Sequence, residues 1–204
     1  MSIVTLNDRG VRSVTTFGSL NTGSMIFIKK LTASSSSTLS FVDGSSDVVL
    51  DSTYKEYLFT FNNIHTSTNA RNFTFQANAS GGSGYNETIT STAFRPYHGE
   101  DDSSSLGYKT SGDQAQGTSF QGLSFSLGDE NDESCCGTLH LFNPSSTTFV
   151  KHFIATFTLN TASSEAENDF TAGYFNTTSA IDEIQFKMSE GNIDAGDICL
   201  YGIL

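Results

Sequence analysis

The chain has 204 residues, enough to bury one core without disulfides, and a hydrophobic content of 36% excludes a disordered polymer. Ten Lys and Arg against 22 Asp and Glu leave a net charge of −12, with the cations scattered except for Lys29 and Lys30, so nucleic acid and anionic membrane are not expected as partners. Charged residues make up only 16%, well under the usual quarter or so, which leaves a surface of hydroxyls and amides.

Helical spacing of apolar residues fails along almost the whole length, because Thr, Ser, Phe and Gly dominate. Short β-branched and aromatic runs bounded by Gly, Ser, Asn and Asp instead predict strands over 25–31, 38–42, 55–62, 72–79, 120–127, 138–142, 148–159, 181–188 and 197–203. Their period is two. Tyr57, Phe59 and Phe61 share a face, as do Phe73, Phe75, Ala77 and Ala79; Leu123, Phe125 and Leu127; and Phe149, Phe153, Ala155, Phe157 and Leu159. Strands with one apolar face that follow each other without helices predict an all-β fold, an antiparallel β-sandwich of jelly-roll type. With 17 Phe, 7 Tyr and no Trp, its interior depends on phenylalanine. A single domain spanning 1–204 is expected.

Between the strands, 33–37 is a Ser run, 80–85 is Gly-rich, and 97–117 reads as a long polar loop, acidic at Glu100, Asp101 and Asp102. A loop of that length is functional, disordered or ordered by a neighbouring subunit. Pro96 and Pro144 fall outside the predicted strands, where a missing donor costs least. The longest apolar stretch, 25–28, is far short of a bilayer span, and the start at Met1 lacks the charged and apolar regions of an export signal.

The chemistry-bearing residues do not assemble into a motif. His65, His98, His140 and His152 are far apart, no Gly-x-Ser-x-Gly occurs, and His140 and His152 read as outward strand positions. Asp129–Glu133 has enough oxygens to suggest calcium but lacks the glycine and distal glutamate of an EF-hand, so a solvated acidic turn is the better reading. Adjacent Cys135 and Cys136 with distant Cys199 give neither zinc spacing nor a disulfide framework. Neither a cofactor nor a metal is expected, and no enzyme activity. A carboxylate-pair glycosidase stays open, because carboxylate separation is a three-dimensional quantity. Sugar binding by a sandwich uses aromatic platforms with amide and carboxylate loops, and Tyr85, Asn86, Tyr97, Asp101, Asp102 and Tyr108 are the candidates for glycan or partner contact.

Three segments carry a resemblance. Tyr57 to His65, Asn72 to Gln76 with Gly81 to Asn86, and above all Ala180 to Ile203 resemble virion structural proteins of marine tailed phages. The last segment looks like the closing hairpin of a phage β-sandwich module, with a Gly-Asn-Ile turn at 191–193 followed by Leu-Tyr-Gly at 200–202. In that reading Ile184, Phe186 and Met188 face Ile198, Leu200 and Gly202 across the hairpin, and Leu204 is an anchored end. The resemblance implies a non-enzymatic particle component assembled in the bacterial host cytoplasm, first a capsid decoration (cement) protein. Its partners would be other virion proteins, major capsid or tail, and further copies of itself. The alternative is a tail-fibre or tail-ring module that binds host surface glycans.

Overall fold

A computed structural model describes Ser24–Leu204; the start at Met1 that was read for an export signal lies outside these residues. The described chain is strand and turn without helix. Its strands are β1 (Met25–Thr32), β2 (Leu39–Val42), β3 (Glu56–Thr66), β4 (Arg71–Ala79), β5 (Ile89–Gly99), β6 (Ser104–Tyr108), β7 (Ala115–Gly117), β8 (Gln121–Leu127), β9 (Cys135–Phe142), β10 (Lys151–Asn160), β11 (Glu165–Phe175), β12 (Ile181–Met188) and β13 (Ile193–Ile203). They form two antiparallel sheets packed face to face. The wide sheet runs β1-β13-β3-β9-β10-β11-β5-β6, with β7 also on β5, and the narrow sheet runs β2-β12-β4-β8.

Alternation explains the packing. Apart from Tyr57, Met188 and Lys151, the inward residues of β3, β4, β10 and β12 are Phe, Leu, Ile and Ala, and their burial closes the space between the sheets. Phe186 lies at the centre, with ring centroids 5.4 Å from Phe59, 5.2 Å from Phe61, 5.9 Å from Phe73 and 6.2 Å from Phe41. Most of these contacts are edge-on, the arrangement that aromatic quadrupoles favour. The Tyr57 hydroxyl, buried at the rim, donates to Asp51 O at 2.9 Å.

The structure corrects four expectations. The segment 180–203 is not a hairpin: β12 pairs with β2 and β4 in the narrow sheet, whereas β13 pairs with β1 and β3 in the wide one. The turn at Gly191, whose φ is +76°, therefore carries the chain across the sandwich. Ile184, Phe186 and Met188 share one core with Ile198 and Leu200, but from the other sheet and without a ladder between them. The Leu204 N–H is held by Ser24 O at 2.9 Å.

Phe149 is 68% exposed, and the inward position at the head of β10 belongs to Lys151. That buried ammonium donates to Phe149 O at 3.0 Å and Thr177 O at 3.2 Å, tying two connections together. Pro96 lies inside β5, where the ladder to β11 lapses at Arg95 and Pro96 and the missing donor costs nothing. Finally, 97–117 is not a free loop. It contains the end of β5, then β6 and β7, and is tied back by Ser91 Oγ, which accepts from Gln114 N at 2.9 Å.

Candidate functional site

The wide sheet extends past the narrow one, so the inner face of β11 and β5 is roofed by β8 and the connection from Lys109 to Phe120 instead of by a full sheet. Period-two alternation then turns Arg95 and Tyr97 of β5, and Glu167, Asp169 and Thr171 of β11, toward that roof. Glu167 and Asp169 are almost wholly buried. The Arg95 guanidinium donates to Glu167 Oε2, and the Phe125 N–H donates to Asp169 Oδ2 at 3.0 Å. The Lys109 ammonium stands 4.9 Å from the centre of the Phe125 ring. Burial, reinforced by the neighbouring Glu167 charge and hydrogen bond, pushes the Asp169 carboxyl up to about 8. Burial and the nearby Arg95 charge hold Lys109 below the usual amine range.

Above this cluster opens a pocket of about 290 Å³ lined by Arg95, Tyr97, Ser105, Gly107, Tyr108, Lys109, Thr110 and Ser111. Arg95 lies over the Tyr97 ring with 5.6 Å to its centroid. Two of the sequence candidates, Tyr97 and Tyr108, thus meet in one place. Asp101 and Asp102 do not join them: they form the turn between β5 and β6, where Asp101 Oδ1 accepts from Ser103 N at 3.0 Å and Asp102 has φ +68°. Hydrogen bonds from Ser103 hold the Asp101 carboxyl below its ordinary range. Tyr85 and Asn86 are elsewhere, beside the narrow sheet, with the Tyr85 hydroxyl donating to Glu183 Oε2 at 2.7 Å. Burial raises that hydroxyl's pKa.

Sequence reasoning missed Arg95, Lys109, Glu167 and Asp169. The signal was present in Glu165, Glu167 and Asp169, three acids at alternate positions, which is the period of a strand face.

The remaining candidates have local roles. Glu133 Oε2 accepts from Glu130 N at 2.7 Å and closes the acidic turn, and no group of three metal-ligating side chains gathers among the described residues. His65 hydrogen-bonds Glu130 O at 3.1 Å, His140 pairs with Glu56 at 2.6 Å, and His98 lies 3.4 Å from Asp102. His152 points outward against Tyr174, 5.9 Å between rings. The three cysteines are unpaired, and burial pushes the Cys135 thiol up to about 12, far from a nucleophilic thiolate. No known family model matches this chain, and no curated protein and no solved structure matches it.

Proposed function

We propose that this chain is a non-enzymatic structural component of a phage particle, a capsid decoration protein held by contacts with neighbouring shell proteins or copies of itself. The observation that carries the reading is the outer margin of the wide sheet. β6 pairs on one side only, all five of its residues are exposed, and Ser-Ser-Leu-Gly-Tyr contains no charge and no proline to discourage pairing. Register with β5 sets Leu106 opposite Pro96 and Tyr108 opposite Phe94, so these residues share the outer face. Phe94 stacks flat on Phe170 there, 4.7 Å between centroids, and Leu106 is 70% exposed. An uncharged edge beside exposed aromatic surface gives a chain of −12 a place to meet a neighbour without bringing acids together.

The strand order also supports jelly-roll winding, the architecture shared by many capsid domains. With β5, β6, β7, β10 and β11 set aside, the sheets read β1-β13-β3-β9 and β2-β12-β4-β8. The strands set aside are two excursions that widen one sheet. The class of particle rests on the sequence resemblance of 180–203 alone, because its two strands join different sheets instead of the hairpin that resemblance implies. Quantitative protein profiling of purified virions tests the reading: hundreds of copies per particle are expected for decoration, a small multiple of three or six would move the chain to the tail, and absence from virions would overturn it.

A further inference from the structure

The four ionisable groups under the Arg95–Lys109 pocket do not cancel in charge. Glu167 keeps Oε2 on Arg95 and Asp169 keeps Oδ2 on the Phe125 N–H, while Glu167 Oε1 and Asp169 Oδ1 are buried without a donor. Two neighbouring carboxylates with bare oxygens in a dry site do not both stay ionised, and one proton shared between those two oxygens satisfies both. Burial and the Glu167 charge keep that proton on Asp169 up to about pH 8. The other groups facing the pair are Arg95 from β5, Lys109 from the connection after β6, and the Cys135 thiol from β9, which burial keeps neutral. Two cations, one carboxylate and one carboxylic acid leave a single positive charge, in a chain of −12.

That charge faces an open pocket with no carboxylate in its lining. Asp113, the nearby acid, accepts from the Tyr108 hydroxyl at 2.5 Å and lines the adjoining groove instead. Only Nη1 of Arg95 is engaged by Glu167, and the Lys109 ammonium meets a ring rather than an acceptor. We infer that this pocket binds the carboxylate of an acidic sugar unit in a glycan. Arg95 and Lys109 take the carboxylate, Ser105, Thr110 and Ser111 meet ring hydroxyls, and Tyr97 offers aromatic surface to C–H bonds. One excess charge suits a monoanion such as a uronate or sialate. The inference stands apart from the particle reading and needs only the folded chain.

Calorimetric titration with tri-galacturonate, tri-mannuronate and sialyllactose, against neutral maltotriose and acetate, tests it. At pH 6.5 at least one acidic oligosaccharide is expected to bind and maltotriose is not. Lys109→Gln should weaken binding about tenfold or more, and Ser105→Trp, on an exposed edge position, should abolish it by filling the pocket. Raising the pH to 9 should weaken the wild type several-fold, and Asp169→Asn, which keeps that side chain neutral, should weaken less over the same range. Circular dichroism checks that each variant folds, and Ser105→Trp carries the test if Lys109→Gln does not. No binding of any acidic oligosaccharide, equal binding of maltotriose, an unchanged affinity in Ser105→Trp, or acetate binding as tightly as the oligosaccharides would each overturn the inference.

Discussion

The two ends of the space between the sheets obey the same alternation and fill it with opposite chemistry. Under the narrow sheet, the inward positions of β3, β4, β10 and β12 hold Phe, and the rings of Phe41, Phe59, Phe61, Phe73 and Phe186 pack without a polar atom. Beyond the edge of that sheet, the inward positions of β5 and β11 hold Arg95, Glu167 and Asp169. What differs is the cover. A facing sheet supplies apolar side chains at close packing, whereas a polar connection supplies carbonyls, hydroxyls and a cation, and only paired or hydrogen-bonded groups can be buried against it.

The apolar end should be the more costly to damage. Phe186→Ala removes the ring at the centre of the aromatic cluster and is expected to cost about 3–5 kcal/mol in urea unfolding. A loss under about 1 kcal/mol would mean that the cluster re-closes around the gap.

At the polar end, Arg95→Met leaves the buried Glu167 without its partner, an expected loss of about 2–3 kcal/mol after allowing for the partial exposure of the guanidinium. Adding Glu167→Leu to that variant should recover most of it. A double variant no more stable than Arg95→Met alone would mean that the pair is held for packing rather than for charge.

The third expectation separates the two ends by pH. Asp169 is raised from 3.8 to about 8 in the folded chain, so the unfolded chain releases this proton first as pH rises. Its contribution is therefore complete below about pH 4, is lost progressively between 4 and 8, and stays lost above 8. Asp169→Asn should flatten that decline, gaining on the wild type as the pH rises from 4 to 9, while Phe186→Ala should leave the pH profile unchanged in shape. Parallel profiles for wild type and Asp169→Asn would remove the proton from the pair.

The smallest effect belongs to the outer surface of the apolar end. Lys187 alternates with Phe186 and its ammonium stands 4.1 Å from the centre of the Phe120 ring, so Lys187→Ala should cost about 0.5–1 kcal/mol. A thermal melt resolves this difference, and a cost near that of Phe186→Ala would reverse the assigned facing of β12.

Legibility in the sequence followed the same divide. Where inward positions are apolar, alternation is visible, and β1–β4, β8–β10, β12 and β13 were expected close to where they lie. β5 and β11 were invisible because their inward residues include Arg, Glu, Asp and Thr, which mimic loop composition, and without them β6 and β7 had nothing to pair with. Alternation also assigns a face and not a partner. That is why 180–203 read as a hairpin when its two strands join different sheets. Of the candidate site, Tyr97 and Tyr108 were legible as aromatics in a polar stretch, but the cations and buried acids beside them are brought together only by sheet order.

The position of β13 has a mechanical consequence. It is hydrogen-bonded along most of its length to β1 on one side and β3 on the other, and antiparallel bonds lie across the strand direction. Tension along β13 therefore loads both ladders in shear, many bonds at once, instead of peeling them one by one from a free edge. β13, entered by the crossing at Gly191, is thus a strand built to bear a pull.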